Sequence, residues 1–125
     1  MDDRAGVAIL IHLLAELQGV TPFGAVLGVA TVLEQVGLRG AAMAAHRLRP
    51  DYAIAIDGLS AGDTPDSSPT RDISVVMGQG PVGLLAASTG NFRGSIAHPA
   101  MKRHLLGAAS AEGVPVQLAT HLPPG

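Results

Sequence analysis

Three short stretches of this chain put carboxylates and a carboxamide where open α/β folds build their chemistry. Asp2-Asp3-Arg4 opens the first helical pattern, and Asp57 ends an apolar run. Between them, Glu34-Gln35 closes another apolar run just before Val36-Gly37-Leu38-Arg39-Gly40-Ala41. Side chains at the ends of successive elements meet in the crevice at the edge of such a sheet. Oxygen donors grouped beside a carboxylate base suit hydrolysis assisted by a metal ion. Cysteine is absent, so a metal could be held only by oxygen and imidazole ligands, which suits a hydrolytic zinc or cobalt site better than a structural zinc.

Each residue also has a plainer reading. Asp2 and Asp3 at a helix start serve as N-caps, stabilised by free backbone N–H groups and the helix dipole, and alone that reading outweighs a ligand role. Glu34 and Gln35 are neighbours, so in a regular strand they would face opposite ways. At a strand end running into Gly37 the backbone can leave that alternation and turn both into one pocket, although alone an exposed Glu-Gln pair is usually just solvated. Asp57 is evenly balanced on burial alone, because a charge ending an apolar strand must find a partner or a cation. His12, His46, His104 and His121 read as surface or structural residues, and His98 as a helix start. Ser88 lacks the nucleophile elbow that a Ser-His-Asp triad would require.

The elements that must position these residues alternate between helical and strand periods. Val7, Leu10, Ile11, Leu14 and Leu17 recur at helical spacing over 3–18, with Arg4, Ala8, His12 and Glu16 forming an i, i+4 stripe, and Gly19 stops the helix. Thr21-Pro22 reads as a turn. Residues 23–33 and 51–57 read as buried strands covered on both faces. The Ala-rich stretch 37–48 reads as a short helix, and 58–71 as a polar loop. Short strands are expected over 73–77 and 82–87, flanking the turn Gly78-Gln79-Gly80-Pro81. A loop is expected at 90–94, a helix from His98-Pro99 to about Glu112 stopped by Gly113, and a last strand over 116–120. These elements point to an α/β fold, a three-layer α/β/α sandwich with a mixed, mostly parallel sheet.

Composition narrows the function classes. The chain has 125 residues, 47% hydrophobic but only 2% aromatic, so Ala, Val, Leu and Ile must fill its core. The net charge of −2 with scattered basic residues offers no footprint for nucleic acid or an anionic membrane, and both are excluded as primary partners. The longest apolar stretch, 7–14, is interrupted by His12 and falls well short of a membrane span. An opening of Asp2-Asp3 in place of a basic segment argues against a signal peptide, so a cytoplasmic location is expected.

The ordered set Asp2-Asp3-Arg4, Glu34 through Ala41, Asp57 with Ala61-Gly62-Asp63-Thr64-Pro65, Gly78-Gln79-Gly80-Pro81, Ile96-Ala97-His98-Pro99 and Glu112-Gly113-Val114-Pro115-Val116-Gln117-Leu118 resembles the tetrahedral aminopeptidases, dinuclear metallopeptidases some of whose members are called glutamyl aminopeptidases or endoglucanases. The similarity covers nearly the whole chain. It implies a hydrolase that removes N-terminal residues from peptide substrates with two divalent ions, zinc or cobalt, and that forms a homo-oligomer. By this resemblance Asp2 bridges the ions, Gln35 and Asp57 occupy further ligand positions, and Glu34 is the general base.

Three departures from the family pattern bear on function. The family places one ligand histidine upstream of its Asp-Asp-Arg and another after a Gly-Gly-Thr-Asp-Ala segment that would begin near Gly125, and its dimerisation insert also lies upstream. Residues 1–125 are therefore expected to be part of a catalytic domain. The family's second glutamate is Gln35 here, a neutral and weaker donor. A non-catalytic remnant or interaction module that has lost the dinuclear site is the alternative expectation.

Overall fold

The computed structural model describes residues 2–65, 74–89 and 92–121. The chain divides into two compact units, Met1–Leu59 and Ser60–Gly125.

The first unit carries two helices joined by extended chain. Helix α1 spans Arg4–Glu16, with the Asp3 side chain accepting from the Gly6 amide at 2.8 Å. Gly6 is buried, and a Cβ there would run into the Asp3 carboxylate. Gly19, at φ 81°, turns the chain away beyond the helix. Helix α2 spans Arg39–Leu48. Its start is set by backbone rather than by a capping side chain: the amides of Arg39 and Gly40 donate to the carbonyls of Leu33 and Val32 at 3.2 and 3.0 Å. Gly40 permits this approach, since a Cβ would meet the Val32 backbone. The helix ends at Arg49 in the left-handed region, just before Pro50.

The buried strands expected over 23–33 and 51–57 do not form in this unit. Among the described residues neither segment joins a ladder, and their apolar side chains are exposed, Val32 at 68% and Ile54 at 61%. The physical reason is that a strand exists only through its neighbours. Val-rich sequence supplies propensity, but hydrogen-bond partners and a covering layer must come from elsewhere. Helix α1 shows the same shortfall, with Val7, Ile9, Ile11, Leu13 and Leu14 all exposed.

The second unit holds a mixed sheet with a helix, as the α/β reading expects. Strands β1 (Val82–Thr89), β2 (Phe92–Ile96) and β3 (Gln117–His121) lie in the order β2-β1-β3. The β1–β2 pair is antiparallel, with Ala86 opposite Ile96 and Ala87 opposite Ser95. The β1–β3 pair is parallel, with Val82 opposite Gln117 and Leu84 opposite Ala119, then a bulge between Leu84 and Ala86. Helix α3 (Pro99–Ala111) links β2 to β3. Its start matches the expectation: His98 is the N-cap, its Nδ1 accepting from the Ala100 amide at 3.2 Å, and Pro99 follows where a missing N–H costs nothing. Gly113, at φ 65°, follows the helix end.

Two further boundaries differ from expectation. Residues 92–94 belong to β2 rather than to a loop, because β1 offers them an antiparallel partner. Residues 74–76 form no strand: the Val76 amide donates to the Gln117 side chain, and its carbonyl accepts from that side chain and from the Gln79 amide of the following turn, so no ladder is built. The chain does turn at Gly78-Gln79-Gly80. Ile73, most of the polar loop beyond Pro65, and Gly90 with Asn91 lie outside the described residues.

The core is small. Val75 and Ala119 are the buried hydrophobic residues described, both in the second unit. The total accessible surface is 10225 Å². Two separately folded domains of half this mass would together expose about 7500 Å² by the area–mass scaling of globular proteins. Much apolar surface is therefore left facing water.

Candidate functional site

All four candidate residues, Asp2, Glu34, Gln35 and Asp57, lie in the first unit. Local backbone presents the middle pair. Leu33 sits at φ 60° and Leu38 at φ 57°, conformations that L-residues adopt at a cost of about 1–3 kcal/mol. Gly37, at φ 100°, takes the same hand without that penalty. Between them the Glu34 carbonyl accepts from the amides of Gly37 and Leu38 at 3.1 and 3.0 Å. The turn breaks strand alternation at the Glu34-Gln35 pair, as the sequence suggested.

The consequence is a contact between distant segments. Gln35 Nε2 donates to Asp2 Oδ2 at 2.8 Å, across 33 residues of sequence. Asp2 thus faces the Glu34–Ala41 stretch while Asp3 caps α1, and the peptide bond between the two aspartates is cis. The plain N-cap reading therefore holds for Asp3, and Asp2 is left to make the longer-range contact. The Glu34 carboxylate is exposed. Asp57 turns back on its own chain, its Oδ1 accepting from the Gly58 amide at 2.7 Å.

These residues do not fit a metal ion by themselves. Among the described residues, no group of three or more His, Asp or Glu side chains is positioned to hold one. Asp2 and Gln35 supply one anionic and one neutral side chain in contact, whereas two dications need several carboxylates for charge balance. Histidines do not repair the deficit. His12 lies on the exposed face of α1, 3.9 Å from Glu16. His46 and His104 are exposed on their helices.

Sequence reading missed two polar contacts. One is the Asp2–Gln35 hydrogen bond, for which a separation of 33 residues gives no periodic signal. The other is Gln117 in the second unit. Its Nε2 donates to the carbonyls of Val76 and Gly80 at 3.0 and 3.2 Å, and its Oε1 accepts from the Val76 amide at 2.9 Å. Nearby, the Asp63 carboxylate accepts from the Met77 amide at 3.1 Å, which ties the Ala61–Pro65 motif to the turn that follows Val76. Asp63 is thus engaged in holding two loops together.

A mixed sheet with helices and the ordered motifs place the chain among α/β proteins. A model of the M42 glutamyl aminopeptidases matches residues 1–125, and the chain belongs to that family. It is 37% identical over 118 residues to a protein of Acetivibrio thermocellus named as an aminopeptidase, covering 94% of this chain and 33% of that one. The aminopeptidase-named SgcX of Escherichia coli K12 is 32% identical over 117 residues, covering 94% and 31%. The crystal structure of a TET aminopeptidase from the marine sediment archaeon Thaumarchaeota archaeon SCGC AB-539-E09 superposes with a TM-score of 0.82 at 31% identity, covering 99% of this chain and 33% of that chain. The chain thus spans about a third of the length of the relatives it matches.

Proposed function

We propose that this chain is part of the catalytic domain of a metal-dependent aminopeptidase that hydrolyses N-terminal residues of peptides. The observation that carries the reading is the match of the M42 glutamyl aminopeptidase model over residues 1–125, and beside it stands the 2.8 Å contact joining Asp2 to Gln35. The contact brings together two of the motifs that carry the resemblance, and Glu34 stands next to Gln35 on a turn held by its own carbonyl. In this reading Glu34 takes a proton from the attacking water and returns it to the leaving amine. Zinc or cobalt at the positions of Asp2, Gln35 and Asp57 would need further donors, because the described residues make no group of three. The extended segments around 25–34 and 53–56 would take their strand partners from the rest of a family-length domain.

Peptide substrates, homo-oligomeric assembly and a cytoplasmic location belong to the same proposal. No described helix is long and apolar enough to cross a membrane. The second reading, a non-catalytic remnant or interaction module, is favoured by Gln35 and by the lack of a ligand group among the described residues.

A chimera separates the two. This chain replaces the matching third of the Acetivibrio thermocellus relative, and turnover of chromogenic amino-acid amides is measured. The expected result is activity that falls about 10²–10⁴-fold on Glu34→Gln. A folded chimera without activity supports the remnant reading, and turnover unchanged by Glu34→Gln removes that residue from its role.

A further inference from the structure

We propose that Gln35 is a positioning residue that pins Asp2 by a direct amide-to-carboxylate hydrogen bond, so that this corner of the chain assembles without a bound cation. The donor and acceptor are 2.8 Å apart and belong to segments separated by 33 residues. The chemistry fixes the direction of the bond. Nε2 is a donor and a carboxylate oxygen only an acceptor, whereas the reversed amide would set two acceptors against each other.

Both ends arrive already shaped. Asp2 precedes the Asp3 cap of α1. Gln35 sits inside the turn bounded by Leu33 and Leu38, both at positive φ. The turn therefore spends its backbone strain on presenting Gln35 to Asp2, and little further ordering is needed to make the bond.

A carboxylate at position 35 would reverse this logic. Two carboxylates at hydrogen-bond distance repel unless a cation or a shared proton lies between them. The carboxamide removes one negative charge and adds a donor, so the pair is complete in itself. Gln35 thus exchanges a requirement for metal for a metal-independent contact. This inference rests on the contact and not on aminopeptidase activity, and no readout of its test is catalytic.

The test uses the full chain as it stands, its Gln35→Glu variant, and the double variant Asp2→Asn with Gln35→Glu, which exchanges donor and acceptor. Zinc chloride binding is measured by calorimetry. Nuclear Overhauser contacts between the Gln35 amide protons and the Asp2 methylene are measured in EDTA on the unaltered chain. The expected results are contacts present in EDTA, weak zinc binding by the unaltered chain, binding about tenfold or more tighter in Gln35→Glu, and a return to weak binding in the double variant. Contacts that appear only with zinc overturn the proposal, and so does zinc binding by the unaltered chain as tight as that of Gln35→Glu. The measurement in EDTA decides the question even if the variants fail to fold.

Discussion

The two units of this chain carry similar strand-forming sequence and reach different states. Residues 82–89 pair on both sides, with β2 and with β3. Residues 25–34, just as rich in Val, Ala and Gly, pair with nothing among the described residues. The second unit contains its own partners close in sequence: β2 follows β1 at once, and α3 returns the chain so that β3 lies parallel to it. A Gln117 side chain then ties β3 to the loop preceding β1. The first unit has two helices, yet among its described residues no sheet for them to cover. Strand sequence is a request for neighbours, and only one unit has them.

The largest expected consequence is in solution. Val7, Ile9, Ile11 and Leu13 on α1 and Val26, Leu27 and Val32 on the extended chain are all exposed. Apolar patches beyond a few hundred Å² associate, and a net charge of −2 does little to oppose it. The isolated chain is expected to be marginally stable and to self-associate without defined stoichiometry, as measured by light scattering with thermal unfolding. A monomer with a sharp transition would break the comparison, because the first unit would then be as self-sufficient as the second.

Two glycine substitutions sharpen it. Gly80 is at φ 91° and a Cβ there would meet the Pro115 carbonyl, so Gly80→Ala is expected to cost about 2–5 kcal/mol in chemical denaturation. A Cβ at Gly40 would meet the Val32 backbone, a similarly close approach. Val32, however, is bound by no ladder and can shift, so Gly40→Ala is expected to cost clearly less. Equal costs would mean that the extended segment is held as firmly as a paired strand.

Hydrogen exchange reads the same contrast residue by residue. Amides of β1 are expected to exchange about 10²-fold more slowly than those of residues 25–31. Similar rates would show that the ladder confers no extra local stability.

Smaller effects come from single polar side chains. Gln117→Ala removes three hydrogen bonds to the Val76 and Gly80 backbone and is expected to destabilise the second unit by about 2 kcal/mol. Asp3→Ala removes the cap on Gly6 and is expected to cost about 1 kcal/mol, read as lost helical circular dichroism from α1. An Asp3→Ala effect as large as that of Gln117→Ala would mean that α1 is anchored by more than its own cap.

What the sequence by itself determined is local. Asp3 and Gly19 bracket α1, His98-Pro99 and Gly113 bracket α3, and Gly78 to Pro81 mark the turn before β1, because caps and turns depend on residues within a few positions of one another. The ordered motifs pointed to the family for a related reason: Glu34 through Ala41 is a contiguous string whose backbone needs are written in its glycines. Tertiary structure alone decided whether strand-like segments became strands. It also decided that Asp2 meets Gln35 while Asp57 bonds to its neighbour Gly58. Hydrogen-bond partners 33 or 41 residues away carry no sequence period. They exist only once helices and turns have fixed the direction in which each side chain leaves the backbone.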